Sequence, residues 1–367
     1  MKGFFYGFAM FIAASAAVIF ATLYLYSEPA ARPDKMLFSK DRQWLLSGEN
    51  RLFEVTERTF DVIGLFGYEE GTQMWPQVGG PKSRCRATII PANVSHSMSD
   101  DEYVIGVVNG AVATAYPLRV LAVHQVVNDS SQDPAVTVYF GNVSRTAAAY
   151  NCGPKQAPTS LASTGLLYRN ADLLFDVDTE SLFLPITGRF VAGARLGESL
   201  PLMPSAVMKL GEWRTLFPAS RLMTENTGVQ GLTYPPFKGF DGPPTLKTAL
   251  KVEERPAFPA DSSAAAVRQG WKSGLLPLGA ATPRKAKGAQ TPSREMSLAA
   301  KGGGPASSEA WLESETSFAG HACLLHVSED RVSAYVTDET GAIAPSLRTT
   351  WKVYKAILRD AQTLSLK

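Results

Sequence analysis

The sequence has little of the residues from which metal and redox sites are built, and it has no excess of charge. Its 367 residues include three cysteines and four histidines, and the formal net charge is only +2 at pH 7. A near-neutral balance gives no electrostatic footprint for nucleic acid. The chain also has no nucleophile elbow, phosphate loop, His-Glu-x-x-His helix or dinucleotide fingerprint. Composition and motifs therefore indicate neither nucleic-acid binding nor a cofactor.

The three cysteines share no metal-type spacing, and two arrangements stay open for them. In an oxidising compartment Cys85 and Cys152 could bridge, since both flank the same segment, although three pairings are available. In the other arrangement the thiols stay unpaired and buried, because cysteine is among the most buried residue types. His321 and His326 are five residues apart, which on a strand places their rings on opposite faces. No metal site is predicted.

One apolar run near the start of the chain predicts a membrane anchor. Residues 3–26 contain no formal charge, and a helix of that length crosses a hydrocarbon core of about 30 Å. We predict an uncleaved transmembrane signal anchor at 1–27 and a spacer at 28–35; the alternative is cleavage near Ala30 and Ala31. Lys2 favours a cytoplasmic start. The body is then outside the cytoplasm, in the periplasm if the source is bacterial.

Two β-branched runs predict a hairpin in the middle of the chain. Val104–Val108 and Val112–Tyr116 flank Asn109-Gly110, a pair that adopts the positive φ values of a type I′ turn. Pro117 ends strand pairing, so a short helix is expected over Leu118–Val127.

The remaining pattern predicts an α+β, β-rich fold with a mainly antiparallel sheet and short helices. We assign the main domain to residues 36–258, with an amphipathic helical stripe running from Val207 to Phe217. Residues 259–309 are rich in Ala, Ser, Gly, Pro and basic residues, which predicts a disordered linker. Residues 310–367 regain a core pattern and are expected to form a small β-α segment that docks on the main domain.

Polar residues at the end of the predicted helix form the candidate binding site. An imidazole beside a carboxylate can act as acid, base or ligand, so His124 and Asp129 are its centre. In the alternative interpretation His124 hydrogen-bonds the following turn and Asn128-Asp129 only shapes the loop. The full candidate set is His124, Asp129, Asn128, Arg119 and Tyr116.

Several ordered motifs resemble the family known as domain of unknown function 3179, from about residue 89 to 228. They begin with Ala115-Tyr116-Pro117 and with His124-Gln125-Val126-Val127-Asn128-Asp129, which is similar to the family's His-Glu-x-x-Asn-Asp segment. The others are Thr164-Gly165-Leu166-Leu167-Tyr168-Arg169-Asn170, Thr179-Glu180-Ser181-Leu182, Ile186-Thr187-Gly188, and Leu202-Met203-Pro204 through Gly211-Glu212-Trp213-Arg214.

The resemblance implies the family's scaffold without its sulfur chemistry. Relatives follow the strand at 136–140 with Cys-Pro-x-Cys-Gly, whereas this chain has Gly141-Asn142-Val143-Ser144-Arg145. Neither glycine nor serine replaces a thiolate. We therefore expect a divergent member: a membrane-anchored extracytoplasmic binding or interaction protein with a protein partner in the envelope. The alternatives are a metal-binding, hydrolytic or redox enzyme centred on His124 and Asp129, and a structural subunit of a membrane complex.

Overall fold

The computed structural model describes residues 36–39, 42–46, 51–60, 65–67, 76–80, 83, 85–94, 98–237, 263–269, 272–277, 311–318, 321–328, 333–350, 357–358 and 362–363. The anchor predicted at 1–27 and the spacer at 28–35 lie outside these residues. Within the described ranges, no helix has both the length and the apolar character needed to cross a bilayer. The predicted β-rich, mainly antiparallel class is confirmed.

The described residues form strands and two short α-helices. The strands are β1 (Met36–Ser39), β2 (Arg42–Leu46), β3 (Leu52–Glu54), β4 (Leu65–Gly67), β5 (Ile89–Pro91), β6 (Tyr103–Asn109), β7 (Val112–Pro117), β8 (Val126–Asp129), β9 (Val136–Gly141), β10 (Thr146–Asn151), β11 (Leu161–Tyr168), β12 (Ala171–Asp176), β13 (Leu182–Leu184), β14 (Arg189–Ala192), β15 (Ser205–Lys209), β16 (Arg221–Met223), β17 (Ser263–Gln269), β18 (Lys272–Pro277), β19 (Trp311–Phe318), β20 (His321–Ser328), β21 (Ala334–Asp338), β22 (Ser346–Thr350) and β23 (Gln362–Thr363). The helices are α1 (Leu118–His124) and α2 (Leu210–Leu216).

These strands assemble into four sheets. The orders are β1-β2-β3, then β23-β18-β17-β22-β10-β9-β8, then β14-β13-β12-β11-β4, and β19-β20-β21-β15-β6-β7-β16-β5. One core cluster includes Ile105 and Val107 of β6, Val138 and Phe140 of β9, and the buried face of α1. The two largest sheets therefore share a core with α1, and β8, which matters for the candidate site, lies at the edge of the seven-stranded sheet.

The predicted hairpin is present, but its turn differs from the predicted type. β6 and β7 pair from Val104↔Pro117 to Asn109↔Val112, so the two loop residues are Gly110 and Ala111. Only Gly110 has a positive φ, of 59°. That pattern belongs to a type II′ turn, because type I′ requires positive φ at both central residues.

Two predicted helix boundaries are wrong, and in both places a strand replaces part of the helix. The first helix ends at His124 instead of Val127, because Gln125 has a left-handed φ of 61° and Val126 begins β8. The second begins at Leu210 instead of Val207, because Val207 pairs with Ile105 in the centre of a sheet. β-branched residues suit a pleated sheet better than a helix.

Trp213 of α2 fills a site opened by a glycine of β6. The indole is fully buried, and a Cβ on Gly106 would lie 2.1 Å from its Cζ3 atom. Phe217 packs beside it with ring centroids 4.3 Å apart. Trp213 lies on the predicted apolar stripe, and it packs against β6.

The prediction of a disordered linker at 259–309 is wrong for two segments. β17 and β18 pair along Ala264↔Pro277 to Gln269↔Lys272, and β17 also pairs with β22. β17 forms backbone hydrogen bonds with a strand on each side, and such pairing does not require the large apolar side chains that this stretch lacks. The rest of 259–309 is outside the described residues.

The C-terminal strands join the sheets of the preceding part. β21 pairs with β15 at Ala334↔Val207, and β22 pairs with β10 at Arg348↔Ala147. The Ser333 hydroxyl donates a 2.6 Å hydrogen bond to the carboxylate of Glu212. The helix predicted near the end of the chain falls largely outside the described residues.

His326 makes the C-terminal sheet sensitive to acid. Its ring stacks on Tyr335 with centroids 4.3 Å apart, and Nε2 lies 3.0 Å from Thr337 Oγ1. Burial lowers the pKa of His326 to about 4, although the Glu313 carboxylate 3.4 Å from Nδ1 favours the charged ring. The neutral ring is therefore the folded form at neutral pH.

We expect the His326→Gln variant to lose less stability in acid than the wild type. The pKa of His326 is lower in the folded state than in the unfolded state. The stability that the neutral ring gives is therefore complete above pH 6.5 and disappears as the pH falls towards 4. The difference amounts to roughly 3 kcal/mol of unfolding free energy. Urea titrations at pH 7 and pH 4 measure it, with His321→Gln at an exposed histidine as the control. Equal acid sensitivity of His326→Gln and wild type would contradict this assignment.

Candidate functional site

The structure seals His124 inside the packing. Its side chain is 1% exposed, with Nδ1 2.7 Å from the Pro76 carbonyl and Nε2 2.7 Å from the Tyr234 hydroxyl. A carbonyl only accepts, so Nδ1 carries the proton and Nε2 accepts from Tyr234. Burial also lowers the pKa of His124. The ring is thus a neutral connector between α1 and the segment around Tyr234.

Asp129 lies in a second hydrogen-bonded group. Its carboxylate accepts hydrogen bonds from the Tyr116 hydroxyl at 2.6 Å, from Gln132 Nε2 at 2.7 Å and from the Ser131 amide at 2.8 Å. Burial, and then the neighbouring carboxylate, raise the pKa of Tyr116 well above its usual value. Tyr116 therefore remains a hydrogen-bond donor that fixes Asp129.

Arg119 is committed to ion pairs. Its guanidinium pairs with Glu102 at 2.8 Å and with Glu225. Burial raises the pKa of Glu102, an effect that the charge of Arg119 opposes. Arg119 thus fastens α1 to two flanking segments.

The five predicted site residues do not form one site. Asn128 and Asp129 line an open cleft, whereas His124, Arg119 and Tyr116 are not among the residues that line it. Gln125 separates His124 on α1 from the two residues on β8, and its left-handed backbone turns the chain between them. An enzyme centred on both His124 and Asp129 would need the two side chains on a common accessible surface.

The cleft has a volume of about 910 Å³ and is lined by four stretches of the chain. They are the segment that leads into β5, the stretch from β8 to the start of β9, the segment between β10 and β11, and Asp178 after β12. Its lining includes Gly79, Gly80, Arg86, Ala87, Ile89, Asn128, Asp129, Val136, Thr137, Cys152, Lys155, Ala157, Pro158, Thr159 and Ser160.

A directed chain of hydrogen bonds lies along the cleft at Cys152. The Cys152 thiol donates to Thr137 Oγ1 at 3.0 Å, and the Thr137 hydroxyl donates to Asn128 Oδ1 at 2.7 Å. Asn128 also joins the backbone of Leu161, accepting from its amide at 3.0 Å and donating to its carbonyl at 2.9 Å. Thr137 and Asn128 are paired residues on β9 and β8, so the sheet fixes their positions.

Of the two arrangements left open for the cysteines, the structure has the unpaired one, since Cys85, Cys152 and Cys323 are all free. Cys85 packs with Val78 in one core cluster, whereas Cys152 belongs to another. Burial raises the pKa of Cys152 to about 11. The thiol is thus a proton donor at neutral pH and not a thiolate nucleophile.

Cys152 should make the protein less stable in alkali. The pKa of Cys152 is higher in the folded state than the unfolded value of 9.0. The stability that the protonated thiol gives is therefore complete below pH 9 and is lost as the pH rises towards 11. Between pH 8 and pH 10.5 the wild type should lose roughly 2 kcal/mol more than Cys152→Ser, which keeps a donor for Thr137. Denaturant titrations at pH 8 and pH 10.5 measure the difference, and Cys323→Ser at a partly exposed thiol is the control. If Cys152→Ser follows the wild-type curve, the thiol is not buried as described.

Two glycines bring one border of the cleft close to β8. Gly79 has a φ of 78°, and a Cβ there would lie 2.0 Å from the Asn128 carbonyl oxygen. A Cβ on Gly80 would lie 3.1 Å from Ser160 Oγ. The backbone amide of Asn128 donates to the Val78 carbonyl at 2.7 Å, which holds this segment along β8. Only glycine therefore fits at position 79, and a side chain at position 80 would press against Ser160.

Arg195 ties the segment before β11 to the neighbouring sheet. Nη1 lies 3.0 Å from Thr159 Oγ1 and 3.2 Å from the Asp176 carboxylate, and the guanidinium covers the Phe190 ring at 4.0 Å. Thr159 is therefore positioned from behind by a charged, stacked group.

A side chain would not fit at Gly141, where the resemblance places the first cysteine of the relatives' thiol pair. A Cβ on Gly141 would lie 2.1 Å from the Tyr139 hydroxyl and 2.2 Å from Asp172 Oδ2. These two groups are hydrogen-bonded at 2.5 Å, with the tyrosine donating. A cysteine at position 141 would displace this buried pair.

Sequence reasoning missed most of the cleft. Of the residues that line the cleft, it proposed only Asn128 and Asp129 for binding and gave no role to Ser160. The signal that was available is the Gly79-Gly80 pair, because consecutive glycines mark a close approach of backbone. The described residues contain no group of three or more His, Cys, Asp or Glu side chains placed to hold a metal ion.

Comparison with known proteins identifies one family. The family model described as a protein of unknown function (DUF3179) matches residues 85–302, more than half of the chain. No curated protein and no solved structure matches significantly. The matched region extends beyond the predicted 89–228 at both ends and includes β17 and β18.

Proposed function

Since the chain belongs to the DUF3179 family of proteins of unknown function, we propose a function from the geometry of the cleft: it is a binding protein that takes up a small molecule there. The supporting observation is the open cleft of about 910 Å³ over a fixed polar surface. Clefts that bind small molecules typically measure about 300–1,000 Å³.

The polar groups of the cleft are fixed before any ligand arrives. Asn128 is held by the backbone of Leu161 and by Thr137, and Thr159 is held by Arg195. A site whose groups are already ordered loses less conformational entropy on binding. This favours recognition by a rigid surface.

The reactive side chains of the region are engaged in ways that favour binding over catalysis. The Cys152 thiol stays protonated because burial raises its pKa to about 11. His124 has both nitrogens hydrogen-bonded inside the packing, and Asp129 accepts three hydrogen bonds. These groups position one another.

Blocking the cleft tests this proposal. Ala157 is an exposed alanine of the cleft lining, so Ala157→Trp should fill the opening without disturbing the core. We expect saturation-transfer NMR of the full-length chain in mild detergent, against a mixed library of small metabolites, to find compounds whose signals vanish in Ala157→Trp. Ala322→Trp, at an exposed strand position, is the matched control. Signals that survive in Ala157→Trp, or a library without any binder, would refute the proposed function.

We also propose that the protein is anchored in a membrane by residues 3–26, with its body outside the cytoplasm and in contact with an envelope partner. The support is the uncharged apolar run of the sequence, which is long enough to cross a bilayer of about 30 Å. Alkaline phosphatase fused after Lys367 should be active, because this enzyme needs an oxidising compartment. If the phosphatase is inactive and a cytosolic fluorescent reporter at the same position is fluorescent, the proposed orientation is wrong.

A further inference from the structure

Two cationic side chains border the cleft without a carboxylate partner in the described part of the chain. Arg86 donates a 3.1 Å hydrogen bond to the Gly80 carbonyl, and Lys155 lies in the segment before β11. Both line the cleft, and no described carboxylate is ion-paired with either. The carboxylates that also line it are Asp178 and Asp129, and the latter is already surrounded by donors.

A buried hydroxyl in the same cleft lacks a partner. Ser160 is 1% exposed, and its Oγ makes no hydrogen bond to any described residue. It faces Gly80, where a side chain would come within 3.1 Å of the oxygen. An unsatisfied buried hydroxyl is costly, and an acceptor on a ligand would satisfy it.

The remaining lining combines polar side chains, such as Gln156 and Thr159, with aliphatic ones. Ile89, Val136 and Pro158 add apolar surface, and none of the residues that line the cleft is aromatic. These aliphatic side chains can bury a short apolar body.

We infer that the cleft binds a small organic anion, a carboxylate or phosphate group on a short apolar body, whose charged group is held by Arg86, Lys155 and the Ser160 hydroxyl. This inference rests on the proposed function of the cleft as a ligand site. Charge-assisted hydrogen bonds supply the affinity for the anion. The aliphatic residues of the lining bury the apolar body of the ligand.

Ligand-observed NMR titrations of the full-length chain test the inference. The probes are benzoate, phenyl phosphate, inorganic phosphate and the uncharged benzamide. We expect benzoate or phenyl phosphate to bind more tightly than benzamide and inorganic phosphate, and added salt to weaken that binding. The double variant Arg86→Gln/Lys155→Gln should lose about tenfold or more in affinity, and Ser160→Ala about threefold. Arg42→Gln/Arg51→Gln removes two charges outside the cleft lining and should leave the affinity unchanged.

The outcomes separate this inference from the proposed function. If benzamide binds as tightly as benzoate, and its binding is lost in Ala157→Trp, the inference that the ligand is an anion is overturned. The cleft then remains a ligand site. If inorganic phosphate binds as tightly as phenyl phosphate, the inference that the ligand has an apolar body is overturned. Unchanged affinity in Arg86→Gln/Lys155→Gln, an equal loss in the control pair, salt-independent binding, or no binding of any probe would each overturn the inference. Salt dependence of the wild type gives a result even if the double variant does not fold.

Discussion

Gly79→Ala is expected to lower the free energy of unfolding by about 3–5 kcal/mol. A left-handed backbone costs a residue with a Cβ about 1–2 kcal/mol, and forcing atoms into a packed site adds about 1–3 kcal/mol or more. The added carbon would lie 2.0 Å from the Asn128 carbonyl oxygen, and both groups belong to backbone that is held by hydrogen bonds. Neither can move away without opening the cleft.

The chain provides a matched control for this prediction. Gly153 has a similar φ of 86°, but nothing lies within 4 Å of the position of its Cβ. Gly153→Ala should therefore cost only the left-handed strain of about 1–2 kcal/mol. Denaturant unfolding of both variants measures the difference. Equal losses would mean that Gly79 does not approach Asn128 closely.

Trp213→Ala is expected to cost about 3–5 kcal/mol, the range for removing a large buried aromatic side chain. Trp213 is fully buried and fills the space above Gly106, so the substitution leaves a cavity between α2 and β6. Thermal and denaturant unfolding of the purified chain measure the loss.

Trp311→Ala is the corresponding control at the edge strand β19. Trp311 is partly exposed and packs against Tyr335 with centroids 5.2 Å apart. Since part of its surface already contacts water, its loss should cost about 1–2 kcal/mol. If Trp213→Ala were no worse than Trp311→Ala, α2 would not be packed on the sheet as described.

Local signals predicted the parts of the fold that depend on neighbouring residues. The β6–β7 hairpin follows from two β-branched runs around one turn, and Pro117 correctly marks the start of α1. The predicted helix boundaries were wrong where the spacing of apolar residues fits either a helix or a strand. Val207 and Leu210 are three apart, and only pairing with Ile105 shows that the first of them is in a sheet.

The candidate site was harder to predict because its residues meet through the sheets. His124 and Asp129 are close in sequence, yet the left-handed Gln125 sends them into separate hydrogen-bonded groups. Gly80 and Ser160 are far apart in sequence and become neighbours across β8. The Gly79-Gly80 pair indicates that some group approaches closely there, but nothing in the sequence identifies Ser160 as that group.

The central claim is that the cleft on β8 and β9 takes up a small molecule. The most direct measurement is a crystal structure of the full-length chain soaked in a mixture of benzoate, phenyl phosphate and benzamide. We expect ligand density between Gly80 and Lys155, within hydrogen-bond distance of Ser160 Oγ. Density confined to other surfaces, with the cleft free of any ligand, would contradict the claim.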